Sequence, residues 1–238
     1  MRRVLIGTPA LTGEVTAWYA DSLYHSGLLC QSQGIHLAPI FIALESNLPN
    51  ARNDLLAIAI RQGFDDLIFI DADQEWKPEY IPRLLSHPVD CVGAAIRKKT
   101  DTAELYNVRA PDGPLSFVVH PETDLWTAEG MCLGTGFLRL SRAAMQMLWD
   151  NAEPYSNGKA KEPSRWVFDF RPINGELVGE DTLLCMKLQE FGIDTWLDPT
   201  MVVGHVGTKK WTGDFANWLG RMQDQERAKV PMPHPKAA

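Results

Sequence analysis

Cysteine is scarce in this sequence. Its 238 residues include only four cysteines, at positions 30, 91, 132 and 185, and no two of them form a Cys-x-x-Cys pair. Zinc ribbons need such pairs and small secreted scaffolds need closely spaced cysteines, so both classes are excluded. We expect free, mostly buried thiols in a reducing compartment.

Long apolar runs are also absent. No stretch reaches the roughly 18 to 20 uninterrupted apolar residues that a membrane-spanning helix requires. The N-terminal apolar run, Val4-Leu5-Ile6, is too short for a signal peptide and is typical of a first β-strand. We therefore predict a soluble, cytoplasmic protein that has no membrane partner.

The sequence has no excess of positive charge. Asp and Glu outnumber Lys and Arg by 30 to 23, which gives a formal net charge of −7. A protein dedicated to nucleic acid carries a broad basic surface. This composition excludes that surface and leaves open only a local basic groove.

Several motifs that define common enzyme classes are missing. The sequence has no Gly-x-Gly-x-x-Gly after its first strand and no Gly-x-x-x-x-Gly-Lys-[Ser/Thr], which disfavours a dinucleotide-binding or P-loop protein. It also lacks a Gly-x-Ser-x-Gly elbow and a His-Glu-x-x-His helix, which disfavours an α/β-hydrolase and a zinc protease.

What the sequence does contain is an alternation of short apolar runs and helical patterns. The apolar runs predict strands at 3–7, 37–44, 67–70, 92–96, 136–140 and 201–203. The helical patterns predict helices at 14–30, 51–62, 78–86, 141–150, 181–191 and 214–227. This alternation indicates an α/β fold with a mostly parallel central sheet flanked by helices. We predict a single domain over residues 1–229 and a flexible, Pro-rich tail at 230–238.

The sharpest local feature is a pair of carboxylates that ends an apolar run. Leu67-Ile68-Phe69-Ile70 is followed by Asp71-Ala72-Asp73, and side chains two positions apart in an extended segment point the same way. Open α/β sheets bind ligands at the carboxyl ends of their parallel strands, and a hard cation such as Mg²⁺ or Mn²⁺ accepts two carboxylates. The alternative is a strand that simply ends in solvated turn residues.

Three further features have two interpretations each. Glu180 and Asp181 open a helix, where acidic residues suit the helix dipole but can also supply a general base. His205 follows a buried strand between glycines, and it is either structural or a metal ligand. Arg52 lies near the start of a helix, and it is either solvated or faces a phosphate or a base edge.

In their order and spacing these motifs resemble the GT-A fold glycosyltransferases, most closely the family 2 glycosyltransferases and their small phage-encoded relatives. The resemblance spans roughly residues 4 to 208 and rests on Asn50-Ala51-Arg52-Asn53, Phe69-Ile70-Asp71-Ala72-Asp73, Gly179-Glu180-Asp181 and His205, with Ile6-Gly7-Thr8-Pro9 and Gly134-Thr135-Gly136-Phe137 as smaller signs. It implies a Rossmann-like GT-A domain with a C-terminal lid or helix, located in the host cytoplasm if a phage encodes it.

The resemblance also implies roles for individual residues. Asp73 and His205 are the implied ligands of Mn²⁺ or Mg²⁺, and Asp181, with Glu180 beside it, is the implied catalytic base. The residues implied to contact the donor nucleotide-sugar are Thr8, Pro9, Arg52, Asp71, Lys98, Lys209 and Trp211. Lys99 is an alternative to Lys98, and the segment 206–213 is either a lid over the nucleotide or a surface loop.

The implied reaction is the metal-dependent transfer of a single sugar from a nucleotide-sugar, by default a UDP-sugar, to an acceptor hydroxyl, with inversion favoured. A modified DNA base, a surface glycan and a protein are the candidate acceptors. Processive synthesis is disfavoured because the Gln- and Arg-rich acceptor motif of processive members is missing. Two alternatives stay open: a non-catalytic nucleotide- or sugar-binding module of the same fold, and a haloacid-dehalogenase-like phosphatase, although the latter carries its Asp-x-Asp in the first strand.

Overall fold

The computed structural model describes residues 1–109, 116–156 and 162–229, so the tail predicted at 230–238 lies outside the described residues. The helices are α1 (Ala17–Ser32), α2 (Leu48–Arg61), α3 (Tyr80–Ser86), α4 (Arg142–Asp150), α5 (Glu180–Glu190) and α6 (Phe215–Lys229). The longer strands are β1 (Arg2–Ala10), β2 (Ile35–Ala43), β3 (Asp66–Ile70), β5 (Cys91–Gly93), β10 (Phe137–Ser141), β13 (Arg171–Ile173), β14 (Glu176–Val178), β15 (Thr195–Leu197) and β16 (Gly204–Val206). The two-residue strands are β4 (Gln74–Glu75), β6 (Val108–Arg109), β7 (Val118–Val119), β8 (Trp126–Thr127), β9 (Cys132–Leu133), β11 (Pro154–Tyr155), β12 (Ser164–Arg165) and β17 (Lys210–Trp211).

A central sheet organises the described residues. It has eight strands in the order β2-β1-β3-β10-β5-β15-β8-β7. β1 is parallel to β2 and β3, β5 is parallel to β15, and β10 and β8 are antiparallel to their neighbours. All strands except β10 and β8 therefore point the same way, which confirms the prediction of a mostly parallel α/β sheet.

Both faces of the sheet are covered by helices, which explains the continuous apolar strands. All five residues of β3 are buried, and alternate residues of a strand face opposite sides of the sheet. Leu67 and Phe69 pack on one side with α2, α4 and α5, whereas Ile68 and Ile70 pack on the other side with α1 and α3. The end of β3 is consequently held in the middle of the core. None of the described helices is long and apolar enough to cross a membrane.

One predicted strand is wrong. The segment 201–203 is irregular apart from a bridge between Val203 and Ile96, and the strand that joins the central sheet here is β15, Thr195–Leu197. β15 has only three residues and begins with a polar one, so it leaves no apolar run in the sequence. The apolar residues Met201 and Val203 are buried as anchors of the connection that leads from the sheet to β16.

The buried carboxylate of Asp198 secures the end of β15. It accepts hydrogen bonds from Arg83 Nε at 2.5 Å and from His87 Nε2 at 2.9 Å, and it holds the following turn by accepting from the Thr200 hydroxyl at 2.7 Å. Burial alone raises the pKa of this carboxyl. The bonds from His87, Arg83 and Thr200 outweigh that effect and hold the pKa of Asp198 well below its usual range.

We expect Asp198→Asn to lower the free energy of unfolding by about 3 kcal/mol at pH 7, because it removes the fully buried carboxylate that Arg83, His87 and Thr200 all contact. A carboxyl whose pKa is depressed by folding stabilises the fold above its ordinary pKa of about 4 and loses that contribution as the pH falls. Urea unfolding should therefore show a large difference in the free energy of unfolding between the wild type and Asp198→Asn at pH 7, and a smaller difference below pH 4. Asp194→Asn, at an exposed position, is the matched control and should change little.

Candidate active site

Two adjoining cavities open at the carboxyl ends of β1 and β3. The large chamber, about 560 Å³, lies between Pro9 at the end of β1, Ser46 before α2 and Asp73. The small chamber, about 190 Å³, lies between α2, the β9–β10 turn and the start of α5. Leu48, Asp71 and His205 line both chambers, so the two form one cleft at the sheet edge where ligands of α/β folds bind.

A buried arginine holds the centre of this cleft. The side chain of Arg52, on α2, is only 3% exposed; its Nη2 donates to Asp71 Oδ1 at 3.0 Å, and its Nε lies 3.4 Å from Glu180 Oε1. One guanidinium thus joins the end of β3 to the first turn of α5. Because it is enclosed by these two carboxylates, Arg52 acts here as a positioning residue that sets where both acids lie.

The Arg52 guanidinium is supported from behind by aromatic packing. Its Cζ lies 5.5 Å from the centroid of the Phe69 ring, and that ring packs edge-on against Phe168 at 5.3 Å. Asn53 secures Phe168: its side-chain oxygen accepts from the amides of Val167 and Phe168 at 3.1 and 2.8 Å. Asn53 therefore ties the loop after β12 to α2. Asn53 is part of the sequence motif at 50–53, but its sequence position does not predict this role.

The geometry of His205 settles which of its ring nitrogens faces the cleft. Nδ1 lies 2.9 Å from the carbonyl oxygen of Arg97, and a carbonyl only accepts, so Nδ1 carries the proton. Nε2 faces Asp73, whose Oδ2 is 3.6 Å away. A lone pair facing a carboxylate is unfavourable unless a cation or a proton lies between them.

A lysine currently shares the Asp73 carboxylate. Lys99 Nζ lies 2.5 Å from Asp73 Oδ2. Partial burial alone raises the pKa of Asp73, but the adjacent His205 and Lys99 side chains outweigh it and lower the pKa to about 2. Asp73 is therefore an anion at neutral pH, which is the form that a metal ligand requires.

The donor set at this point suits a hard divalent cation. Asp73 supplies carboxylate oxygen and His205 an imidazole nitrogen with its second nitrogen anchored on a backbone carbonyl, as is usual for metal-binding histidines. Across residues 1–109, 116–156 and 162–229, no group of three or more His, Cys, Asp or Glu side chains is arranged to hold a metal ion. Two protein ligands fit a cation whose remaining positions are taken by a ligand such as a diphosphate, and such a cation must compete with Lys99.

The two acids at the start of α5 have different environments. Glu180 is 8% exposed and paired with Arg52; burial, partly offset by Arg52, raises its pKa. Asp181 is more accessible, lines the small chamber, and has no contact with Arg52 among the ion pairs of the described residues. Asp181 is thus placed to meet a ligand, whereas Glu180 is placed to hold Arg52.

Of the other residues that the resemblance implies as contacts of the nucleotide, some line the cleft and others do not. Pro9 lines the large chamber and Lys98 the small one. Thr8 is fully buried and hydrogen-bonded to the Tyr19 hydroxyl, so it supports the cleft from the core instead of facing it. The reason is alternation along β1, which turns Thr8 inward where Pro9 turns outward.

Lys209 and Trp211, on the segment 206–213, also lie outside both chamber linings. Lys209 Nζ lies 2.5 Å from Asp101 Oδ1, and Trp211 Nε1 donates to the same oxygen at 3.0 Å. The Trp211 ring is only 9% exposed and packs beside Gly207. In this structure the segment is docked on residues 97–101 at the rim of the cleft.

Sequence reasoning missed three polar residues of the small chamber: Gln74, Asn107 and Thr135. Their only local signals are that Gln74 directly follows the Asp-x-Asp pair and that Thr135 lies between two glycines. A Cβ at Gly136 would lie 2.7 Å from Asp71 Oδ2, and one at Gly134 would lie 2.4 Å from Asn107 Nδ2. The glycines are therefore required for the close packing of this wall.

The sequence has two short basic clusters, Arg97-Lys98-Lys99 and Lys209-Lys210, and they do not form a free basic groove. Lys99, Lys209 and Lys210 are paired with Asp73, Asp101 and Glu75, respectively. Arg97 Nη1 donates to the Thr212 carbonyl oxygen at 2.9 Å. These contacts neutralise most of the charge that a nucleic-acid partner would need.

Comparison with solved structures supports the fold. A197 from STIV is 16% identical, with a TM-score of 0.53, over 87% of this chain and 86% of its own. Two further structures have TM-scores too low to support a conclusion. A glycosyltransferase involved in the glycosylation of the major capsid of PBCV-1 has a TM-score of 0.32, with 13% identity over 67% of this chain and 72% of its own. A candidate glucose-1-phosphate thymidylyltransferase from Bacillus anthracis has a TM-score of 0.44, with 8% identity over 98% of this chain and 97% of its own. No protein family and no curated protein matches the chain in sequence. The chain has a mixed α/β fold with a mostly parallel central sheet, as its sequence predicts.

We expect Arg52→Met to lower the free energy of unfolding by about 3 kcal/mol, because it leaves Asp71 and the buried Glu180 close together without their shared cation. Arg61→Met is the control on the same helix, since Arg61 is 30% exposed and pairs with the exposed Glu162. Its loss should cost about 1 kcal/mol. Urea unfolding of both variants measures the difference; equal costs would show that the Arg52 cluster does not hold the site together.

Proposed function

We propose that this protein is a divalent-cation-dependent glycosyltransferase that moves a single sugar from a nucleoside diphosphate sugar, most simply a UDP-sugar, to an acceptor hydroxyl. One observation carries the proposal: two chambers of unequal size meet at Asp71 and His205, with carboxylate and imidazole groups at the junction and a further carboxylate, Asp181, lining the small chamber. A nucleotide-sugar has the same order of parts, namely nucleoside, diphosphate and sugar.

The sizes of the chambers support this assignment. The large chamber, about 560 Å³, is within the range of ligand pockets, about 300 to 1,000 Å³, and accommodates the nucleoside between Pro9 and the loop before α2. The small chamber, about 190 Å³, accommodates one sugar ring. Asp71, which lines both, then lies beside the ribose, and the diphosphate lies next to Asp73 and His205.

Asp73 and His205 are the residues that would hold the cation. When bound, a divalent cation neutralises the negative charge that grows on the departing diphosphate. Asp73 is charged at neutral pH, and its lowered pKa keeps it charged into acid; the Arg97 carbonyl holds Nδ1 of His205, which leaves Nε2 directed at the junction. Lys99 adds a positive charge at the same place.

Asp181 is the general base of the proposed reaction. The acceptor oxygen attacks the anomeric carbon and forms the new C–O bond while its proton passes to the Asp181 carboxylate. The bond between the anomeric carbon and the phosphate oxygen breaks, and its electron pair leaves with the nucleoside diphosphate. A base across the sugar from the diphosphate produces inversion at the anomeric carbon, which NMR of the product can test.

The acceptor is better sought among glycans and proteins than among DNA bases. Most cations of the two basic clusters are paired with neighbouring acids or a carbonyl, and binding to a phosphate backbone needs free lysines and arginines.

The first experiment is calorimetric titration of UDP into the protein with Mn²⁺ and with EDTA. We expect binding with Mn²⁺ that weakens at least tenfold with EDTA, because the cation bridges the diphosphate to the protein. Asp73→Ala should bind UDP equally weakly in both conditions, since it removes the carboxylate ligand.

Asp101→Ala is the matched control, because Asp101 is also an aspartate paired with a lysine but lines neither chamber. It should keep the metal-dependent binding. Absence of UDP and GDP binding in every metal condition contradicts the donor site. Release of pyrophosphate from nucleoside triphosphates, without UDP release from UDP-hexoses, indicates a nucleotidyltransferase instead.

We expect Asp181→Asn to lower the kcat for hydrolysis of a UDP-hexose, with water as the acceptor, by about 100-fold or more, because general-base catalysis contributes that much. Its affinity for UDP should stay unchanged. Product release followed by chromatography of UDP gives the rate.

Glu180→Gln is the comparison that identifies the base. It keeps the shape of the side chain and removes a charge that faces Arg52, so we expect a lower stability and a smaller loss of kcat. A larger loss of kcat in Glu180→Gln than in Asp181→Asn assigns the base to Glu180 and contradicts our assignment.

A further inference from the structure

Unpartnered polar atoms are concentrated in the small chamber. Among the described residues, the buried side-chain atoms without a hydrogen-bond partner belong to Arg52, Gln74, Arg97 and Thr135. All of these residues except Arg97 line the small chamber, and Arg52 already has ionic partners in Asp71 and Glu180. Leaving a buried polar group unpaired costs free energy, so Gln74 and Thr135 call for a ligand that pairs them.

The orientation of the Gln74 amide follows from its neighbour. Gln74 is 1% exposed, and its Nε2 lies 3.2 Å from Asp73 Oδ1. A carboxylate only accepts hydrogen bonds, so the NH₂ group must face Asp73 and the amide oxygen must face away from it. The unpartnered Oε1 is therefore an acceptor, which pairs with a donor such as a hydroxyl group.

Thr135 is held in the wall by its two glycine neighbours. Thr135 is 2% exposed, and the tight contacts of Gly134 with Asn107 and of Gly136 with Asp71 keep the turn close to both side chains. Its Oγ1 is a donor and an acceptor without a partner. A threonine hydroxyl in that state is matched by a hydroxyl of a ligand.

We propose that Gln74 and Thr135 bind hydroxyl groups of the transferred sugar and thereby determine which sugar this protein accepts. Both residues line the small chamber and neither lines the large one, so they act on the sugar and not on the nucleoside. The ligand is a single, hydroxyl-bearing hexose ring. This inference rests on the proposed function and names the substrate class of the same site.

The test uses Thr135→Val, which keeps the shape of the side chain and removes the hydroxyl. Calorimetry with Mn²⁺ measures the affinities for UDP, UDP-glucose and UDP-galactose. We expect the variant to bind the better UDP-hexose about tenfold more weakly than the wild type, and to bind UDP equally well. Thr135→Ser keeps the hydroxyl and should bind both ligands nearly as the wild type does.

The outcomes separate this inference from the proposed function. If the wild type binds no UDP, the donor site itself is wrong. The hydroxyl-binding role is overturned, and the donor site stands, in two cases. In the first, the wild type binds UDP but neither UDP-glucose nor UDP-galactose. In the second, Thr135→Val binds the UDP-hexose as tightly as the wild type does. The variant should also keep or raise the Tm, because valine replaces an unpaired buried hydroxyl; a clear fall in Tm means that Oγ1 has a structural partner and also overturns the role.

Monodeoxy UDP-hexoses identify which hydroxyl each residue binds. Removing the hydroxyl bound by Thr135 should weaken binding to the wild type but cause no further loss in Thr135→Val. Removing a different hydroxyl, the one bound by Gln74, should weaken binding to the wild type but cause no further loss in Gln74→Met. Equal losses in the wild type and in both variants at every position contradict the assignment, because double-mutant cycles then show no coupling.

Discussion

The candidate site depends on one buried cation, the guanidinium of Arg52. Asp71 ends a strand and Glu180 begins a helix, and the two would repel each other if nothing lay between them. Arg52 places one nitrogen 3.0 Å from Asp71 and another 3.4 Å from Glu180 while its plane faces the ring of Phe69. Because α2, β3 and α5 all meet at this side chain, its position fixes how these three elements enclose the small chamber.

Most buried polar side chains of the described residues have ion-pair or hydrogen-bond partners within the fold, but a few buried polar atoms have none. Asp66, at the opposite end of β3, is held by Arg2 and Arg139, and Asp198 is held by Arg83 and His87. Around the small chamber, by contrast, Gln74 Oε1 and Thr135 Oγ1 have no partner. A folded chain usually pairs its buried polar atoms, so unpaired atoms that share one cavity indicate a place kept for a ligand.

The elements of the fold could largely be predicted from the sequence. The long strands β1, β2 and β3 and all six helices of the described residues follow from apolar runs and helical spacing, with boundaries that differ by a few residues. β15 could not be found because its three residues contain no apolar run, and its place in the sheet depends on pairing with β5 and β8. The short strands of the long polar segments escaped for the same reason.

For the site, the sequence by itself determined the chemical types: the Asp71 and Asp73 pair after a buried strand, the acidic start of α5, and a histidine between glycines. Those follow from local patterns, because each motif occupies a few consecutive residues. Only the tertiary structure decided which of them line the cleft. It buried Thr8 against Tyr19, assigned Glu180 to Arg52 and left Asp181 in the chamber. It also brought Gly136 beside Asp71 across a sequence gap of more than 60 residues. The physical reason is that exposure and pairing arise from contacts between distant segments, and local sequence patterns do not encode them.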